Sequence, residues 1–438
     1  MNRRSFVTKS GLLLGSLGLA GAFRQDLVGS LSETLLPSAR AEGMEPRRVL
    51  EICFRYGIPM IIFGTGNEFT KLTQPRYSNF SYAGNEIIKA PGTSNLYLNV
   101  DSASLASHAK NIAITQGTQS EGPHTNLFNY RTGGLNKGKT SPIIELAHLN
   151  PTQSIVSGVQ WTGDVSNQTN GLQDLNKVNA SGFLGLFKNA RLRMTKEEVE
   201  EVLQAATKLS RRQALLLEDK MTDSLAQFKT YNKAMHLFST DYSKLLDLSD
   251  MPSTLTKTGA YANYREALGL TLKGFANNLI NSSLVPIELG DWHGYQSNKQ
   301  NSLIIKNISE IIAATIEQLK NTPDPAAGSG KTLWDTTVIV AGSEFSRGVA
   351  QFSKDNNDGG TQGIMLIGKN VKGNYYGSFT LSDKDERSDA GTTGIDPVSG
   401  NVMAGKNTTE QLYYTAKQAM GLSLLTTEKE KVLRPMFG

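Results

Sequence analysis

"SLVPIEL", "NSLIIKNISEIIAATIEQLKN" and "TTVIVAGSEF" occupy residues 283–289, 301–321 and 336–345, and these three stretches decide the fold class. The first and third are short apolar runs without polar alternation, which is typical of strands buried on both faces of a sheet. The middle stretch carries a stripe of isoleucine and leucine at helical spacing from Ile304 to Leu319. This β-α-β pattern predicts two parallel, neighbouring strands whose carboxyl ends open at one edge of the sheet.

Other apolar runs extend this unit into a larger sheet. Strands are predicted in "VLEICFRYGIPMIIFGTG" (49–66), "NIAITQGTQ" (111–119), "SIVSGVQW" (154–161) and "GIMLIGKN" (363–370). A capping box formed by Thr195 and Glu198 begins a highly charged helical block that runs to about Leu248. We therefore predict an α/β three-layer sandwich, with a central sheet flanked by helices and a helical insertion at about 195–248.

Composition indicates a folded body that is close to neutral. Of 438 residues, 38% are hydrophobic and 19% are charged, which is enough apolar material for a core. The net charge of +5 falls to about +2 once residues 1–41 are set aside. Residues 42–438 therefore lack the excess of positive charge that nucleic-acid-binding proteins carry. The single cysteine, Cys53, excludes an internal disulfide and reads as a buried small hydrophobe, with a catalytic thiol as the alternative.

The amino terminus indicates export. Arg3 and Arg4 are followed by Phe6 and a short apolar stretch rich in glycine and leucine, an arrangement that resembles a twin-arginine signal. "SARA" then supplies a small-residue pattern suited to cleavage after Ala41. We expect a periplasmic protein that is recognised by the twin-arginine translocation machinery and has no integral membrane segment after cleavage.

Polar residues follow both strands of the β-α-β unit. Asp291 and His293 come after the first strand, and Glu344 and Arg347 come after the second. In open α/β sheets ligands bind at the carboxyl edge, so these side chains are expected to lie close together. An aspartate with an imidazole suits a divalent cation, and a Glu–Arg pair suits an oxyanion or a brace around the ligands. Alternatively, Asp291 caps the loop and His293 is a structural histidine.

Several motifs together resemble the domain-of-unknown-function family 1501, a branch of the alkaline phosphatase and sulfatase superfamily. They are "GDWHGYQ" (290–296), "LWDTTVIVAGSEFSR" (333–347), "GIMLIGKNVKGNYYG" (363–377), "TQGTQSEGPHTNLFNYRTGG" (115–134) and "TTEQLYYTAKQAMGL" (408–422). The Glu-Phe-x-Arg sequence is the most specific of them. The resemblance implies a single alkaline-phosphatase-like domain over residues 42–438 and a site for one or two divalent metal ions. The cofactor of this chain stays open, and the candidate is one divalent metal ion, zinc, calcium or manganese.

Carried onto matching positions, the resemblance makes Asp291 and His293 metal ligands, Glu344 and Arg347 site-edge residues, and His124 a ligand or substrate contact. The sequence departs from the family in two places. Gly360-Thr361-Gln362-Gly363 stands where the family has Gly-Thr-Asp-His, and "YGIPM" (56–60) stands where it has a Gly-Gly-x-Asp-Gly motif. Glu68 or Asp358 are the available replacement carboxylates. The metal set is therefore expected to be incomplete.

Three functions follow from these features. The preferred one is an exported protein of alkaline-phosphatase-like fold that is non-catalytic or weakly catalytic. The second is a metal-dependent phosphoester or sulfoester hydrolase that uses Asp291, His293, His124 and a replacement carboxylate. The third is an envelope-polysaccharide-binding protein that uses exposed aromatics such as Tyr375 and Tyr376.

Overall fold

The fold was analysed in a computed structural model of the full chain. The structure describes residues 47–58, 60–67, 87–119, 128–134, 138–152, 154–188, 242–289, 298–344, 361–379 and 392–438. The strands in chain order are β1 (Arg48–Arg55), β2 (Gly64–Thr65), β3 (Ile87–Lys89), β4 (Tyr97–Asn99), β5 (Ile112–Gln119), β6 (Gly158–Trp161), β7 (Asn176–Val178), β8 (Ser282–Glu288), β9 (Thr337–Ser343), β10 (Thr361–Ile367), β11 (Asn374–Tyr375), β12 (Ser378–Phe379) and β13 (Thr392–Thr393).

The helices complete the layers. The α-helices are α1 (Pro142–Leu149), α2 (Ala180–Phe187), α3 (Ala262–Ala276), α4 (Asn298–Asn321), α5 (Leu333–Thr336), α6 (Thr409–Ala419) and α7 (Thr426–Lys429). The 3-10 helices span Met60–Ile62, Val100–Asn111, Asn129–Arg131, Tyr242–Leu246, Ser253–Leu255 and Arg434–Met436.

Eight strands form the central sheet in the order β11-β5-β10-β9-β1-β8-β6-β7. All its pairings are parallel except those of β10, which is antiparallel to both β5 and β9. The predicted β8–α4–β9 unit is confirmed, and its strands run in the same direction. The expectation that β8 and β9 are neighbours is wrong, because β1 lies between them and pairs with both.

β1 shows why the sheet is covered on both faces. All eight of its residues are buried, and successive side chains of a strand point to opposite faces. Leu50, Ile52 and Phe54 pack into one apolar cluster, which includes buried residues of Val100–Asn111, α3 and α4. Val49 and Cys53 pack into a second cluster with residues of α1 and α6. The predicted α/β three-layer sandwich, a large central sheet flanked by helices, is confirmed.

The long helix α4 carries the predicted apolar stripe. Its buried positions recur at helical spacing and include Ile304, Ile308 and Ile312, and it begins at Asn298, three residues before the stretch 301–321 in which it was predicted. On the opposite side of the sheet, α6 begins with a capping box in which Thr408 and Gln411 bond reciprocally.

Two other expectations fall largely outside the described residues. The predicted insertion at about 195–248 overlaps the described chain only from Tyr242 onward, where a short 3-10 helix is followed by a turn. The export signal in residues 1–41 lies wholly outside. In the described part of the chain, no helix combines the length and the apolar character that crossing a bilayer requires.

Candidate functional site

The candidate site lies at the carboxyl edge of the central sheet. Parallel strands β5, β9, β1, β8 and β6 end there, and the antiparallel strand β10 begins there. Ligands of open α/β sheets bind at this edge. Glu344, the first residue of the Glu-Phe-x-Arg sequence, directly follows β9 and therefore lies at this edge.

Glu344 is buried and bonded to the turn that follows β1. Its side chain is 3% exposed, and its Oε1 accepts a hydrogen bond from the backbone N–H of Tyr56 at 2.7 Å. The hydroxyl of Ser343 accepts from the N–H of Ile58 at 2.8 Å. Since Phe54 and Ser343 are paired in register, the two chains leave the sheet side by side. Glu344 therefore holds the β1 turn against the end of β9.

The same turn stores backbone strain. Tyr56 has φ 67° and Gly57 has φ 72°, so two consecutive residues are left-handed. A bulky residue such as tyrosine rarely adopts this conformation, and such outliers persist where the surrounding structure enforces them, often at functional sites. The guanidinium of Arg55 lies 4.8 Å from the centre of the Tyr56 ring and pairs with Glu288 at 2.5 Å. The ends of β1, β8 and β9 are thus tied together by side chains.

Two buried amides complete this edge. Gln362 is fully buried, and its Nε2 donates to the carbonyl oxygens of Ser343 and Glu344 at 2.9 and 3.0 Å. Its Oε1 is buried and has no hydrogen-bond partner among the residues that the structure describes. Gln116, 1% exposed, accepts from the N–H of Met60 through its Oε1 at 2.7 Å. Neither Gln116 nor Tyr56 was identified as a site residue from the sequence, although a polar residue inside an apolar strand run was a visible signal.

A β-bulge brings the amides together. The register of β10 against β5 shifts between Gln362 and Ile364, and bulges of this kind are over-represented beside active sites. Gly363 lies at the shift with no space for a side chain: a Cβ there would lie 2.3 Å from the carbonyl oxygen of Thr115 and 2.7 Å from Oε1 of Gln116. The close approach of the two strands therefore requires glycine at this position.

Of the five predicted site residues, only Glu344 lies in the described part of the chain. Asp291, His293, His124 and Arg347 lie outside it. Their segments are connected to this edge, because residues 120, 290 and 345 follow the ends of β5, β8 and β9 within two positions. The roles predicted for all five residues remain predictions.

The described side chains of this edge do not fit a divalent cation by themselves. Hard cations are held by several carboxylates or other oxygen ligands, whereas one oxygen of Glu344 is engaged by Tyr56, and Gln116 and Gln362 are neutral. Among the described residues, no group of three or more histidine, cysteine, aspartate or glutamate side chains could hold a metal ion. A metal here would need ligands from Asp291 and His293.

The predicted character of Cys53 is confirmed. It is fully buried, and its Sγ lies 3.4 Å from the hydroxyl of Tyr130. Burial, together with the nearby charge of Glu51, raises the pKa of the Cys53 thiol to about 12, so the reactive thiolate is suppressed. The alternative of a catalytic thiol loses its chemical basis.

The exposure expected for Tyr375 and Tyr376 is wrong. They are 2% and 5% exposed. Tyr375 belongs to the edge strand β11, and the hydroxyl of Tyr376 donates to backbone carbonyl oxygens, with Lys372 at 2.9 Å and Pro435 at 2.5 Å. Tertiary packing therefore removes them as a polysaccharide-binding surface.

Comparisons with known proteins give distant structural similarity only. No family model matches the chain, and no curated protein sequence matches it. Among solved structures it is similar to Ps i-CgsB in complex with k-i-k-neocarrahexaose (11% identity, TM-score 0.35, covering 88% of this chain and 74% of that one). It is similar to the lipoteichoic acid synthase LtaP from Listeria monocytogenes (7%, 0.33, 90% and 78%) and to the 2-O GAG sulfatase BT1596 (8%, 0.31, 88% and 72%). These values assign neither substrate nor site, and the α/β architecture is evident from the sheet of this chain.

Proposed function

We propose that this chain is an exported protein of alkaline-phosphatase-like fold whose metal site is incomplete, so that it is non-catalytic or weakly catalytic. One observation carries the proposal. At the two positions where the resemblance implies an Asp-His ligand pair, Gln362 donates to β9 carbonyl oxygens, and Gly363 has a backbone oxygen where a side chain would begin. A histidine at position 363 would require the strands to separate. This close packing around Gln362 and Gly363 is the support for an incomplete ligand set.

The remaining candidate ligands can reach one another above β9 and β1. Neighbouring strands lie about 4.8 Å apart, so β5 and β8 each end about 10 Å from β9, on opposite sides of it. An extended chain covers at most about 3.5 Å per residue, which gives His124, five residues beyond β5, a reach of about 17 Å. Asp291, three residues beyond β8, has a reach of about 10 Å. Convergence of Asp291, His293 and His124 on Glu344 would supply four ligands and complete a metal site, so it belongs to the alternative, a metal-dependent hydrolase, and not to the incomplete site proposed here.

Export through the twin-arginine pathway to the periplasm is part of the same proposal. Its support is the order of Arg3, Arg4, the apolar stretch and the small residues before Ala41. Twin-arginine substrates fold before translocation, which agrees with a large mixed sheet whose strands pair over long sequence distances. The translocation machinery is the one partner that the sequence specifies.

The proposal is tested by ester turnover. The purified chain is assayed with chromogenic phosphate and sulfate esters, with and without a chelator, beside an Asp291→Ala variant. We expect activity at or near the level of the variant and no effect of the chelator. Turnover that is removed both by the chelator and by Asp291→Ala would establish the alternative, a metal-dependent phosphoester or sulfoester hydrolase.

A further inference from the structure

A cleft lies farther along the same edge of the sheet as Glu344. It has a volume of about 780 Å³ and is lined by the end of β6, the first turns of α2 and α3, and Glu288 at the end of β8. Pockets for small molecules have volumes of about 300–1,000 Å³. The cleft is thus large enough for several sugar rings, and its lining comes from described residues.

One residue that lines the cleft, Tyr261, has a backbone conformation that is unusual for the residue before a helix. Tyr261 is the N-cap residue that directly precedes α3, and it has φ 61° with no side-chain capping bond. Serine, threonine, aspartate and asparagine are preferred at this position because their side chains bond to the first N–H groups of the helix. A tyrosine there gives up the capping bond and occupies a strained conformation. Positions where local preference is violated are expected at functional sites.

Two aromatic rings, those of Tyr261 and Tyr264, line the cleft. The rings of Tyr261 and Tyr264 are stacked, with centroids 6.3 Å apart and planes at 25°, and both residues are partly exposed lining residues. The hydroxyl of Tyr264 accepts from the N–H of Glu288 at 3.0 Å, which fixes that ring against the end of β8. Rigid aromatic faces with a polar tip bind ligands that are apolar on one face and polar at the rim.

The rim of the cleft supplies neutral hydrogen-bonding groups. Asn179 accepts from the N–H of Gly182 at 2.7 Å through Oδ1, so its amide NH₂ group can donate to a ligand. Ser181 and Asn263 add a hydroxyl and a second amide, and both are exposed.

The charged groups of the cleft are paired. Lys257 lies 3.6 Å from Glu266, and Glu288 lies 2.5 Å from Arg55. Because each charged side chain of the cleft is paired with one of opposite sign, the cleft has no unpaired positive charge among these residues to attract a sulfate or phosphate group. This favours a neutral ligand over a sulfated or phosphorylated one.

We propose that this cleft is a binding site for a neutral oligosaccharide, in which pyranose rings pack on Tyr261 and Tyr264 and hydroxyl groups bond to Asn179, Ser181 and Asn263. The C–H face of a pyranose ring matches an aromatic face, and its equatorial hydroxyl groups match the amide and hydroxyl rim. The site does not depend on a metal ion or on catalysis at Glu344, so it can hold whether or not the ester-turnover result supports the proposed function.

The test is calorimetric titration of the purified chain with maltohexaose, cellohexaose and the hexasaccharide of N-acetylglucosamine. Tyr261→Asn is the diagnostic variant, because asparagine tolerates a left-handed backbone and can cap the helix. We expect at least one hexasaccharide to bind, with affinity about tenfold weaker in Tyr261→Asn. The melting temperature of the variant should equal or exceed that of the unchanged chain. Tyr97→Ala, in the small sheet formed by β2, β4 and β3, is the control and should bind as the unchanged chain does.

Two outcomes would overturn the proposal. One is that no hexasaccharide binds, or that binding is the same in Tyr261→Asn. The other is that only sulfated oligosaccharides bind and that Lys257→Ala abolishes the binding, because the site would then be an anion site. Loss of binding with a lowered melting temperature in Tyr261→Asn would assign Tyr261 a structural role and also count against the proposal.

Discussion

The backbone N–H of Tyr56 donates to Oε1 of Glu344 at 2.7 Å, which joins the first residue beyond β1 to the first residue beyond β9. The two residues are 288 positions apart in the sequence. The contact holds Tyr56 in its left-handed conformation. It also directs the carboxylate of Glu344 toward the backbone, so Glu344 shapes the edge at which the predicted ligands would meet.

Removal of this carboxylate should destabilise the protein. Glu344→Ala deletes the acceptor of the Tyr56 N–H, and loss of a partner for a buried polar group costs about 1–3 kcal/mol in free energy of unfolding. Glu344→Gln retains an oxygen acceptor and should lose less. Urea denaturation of the two variants measures the difference. Equal stability of Glu344→Ala and the unchanged chain would show that the contact does not hold the β1 turn.

Gly363 should not tolerate any side chain. In Gly363→Ala the new Cβ meets the carbonyl oxygen of Thr115, and forced overpacking of this kind costs about 3 kcal/mol. Gly405→Ala is the matched control, since a Cβ there has open space around it. Thermal denaturation should show a clear loss for the first variant only. If the two variants have the same melting temperature, the steric argument for the proposed incomplete metal site is removed.

The buried pair of Arg131 and Glu51 should show strong energetic coupling. Nε of Arg131 donates to Oε1 of Glu51 at 2.7 Å, and both side chains are almost fully buried. Arg131→Met leaves an uncompensated carboxylate in the core, and we expect a loss of about 3–5 kcal/mol. The double variant Glu51→Leu with Arg131→Met removes both charges and should be more stable than Arg131→Met alone. A double variant that is less stable than both single variants would contradict this view of the pair.

Glu410 should contribute to acid stability. Hydrogen bonds from Lys431 and Lys139 lower the pKa of Glu410 from 4.5 to about 2. Because the folded-state pKa lies below the unfolded one, the stabilisation is present above about pH 4.5 and is lost as the pH falls toward 2. Glu410→Gln should therefore flatten the decline of the free energy of unfolding over this range. Glu430→Gln, at an exposed position of the same terminal region, is the control and should follow the unchanged chain.

The sequence predicts which segments form the strands of the sheet better than it predicts the order of those strands. The runs at 283–289 and 336–345 are apolar on both faces, and each forms the strand that the pattern indicates. That β1 lies between them could not be read from the pattern, because strand order depends on which distant side chains pack together. The burial of Tyr375 was missed for the same reason, since an aromatic residue in an edge strand is exposed or covered according to its tertiary neighbours.

For the site, the structure places Glu344 at the carboxyl edge of the sheet, where the sequence predicted it, and its role there stays a prediction. The left-handed backbone of Tyr56 could not be foreseen, because no local preference favours tyrosine there. The role of Gln362 could be predicted only in part. The sequence shows a glutamine where the resemblance implies an aspartate, and the structure shows that its amide donates to the carbonyl oxygens of Ser343 and Glu344.

The metal content of the chain tests the central claim most directly. The protein is exported natively, purified without added metal and analysed by elemental mass spectrometry, with Asp291→Ala as the matched variant. We expect far less than one zinc, calcium or manganese ion per chain in both, because the proposal places Gln362 and Gly363 at the positions of two of the metal ligands. One or more ions per chain, lost in Asp291→Ala, would contradict an incomplete site and establish a metal centre at this edge.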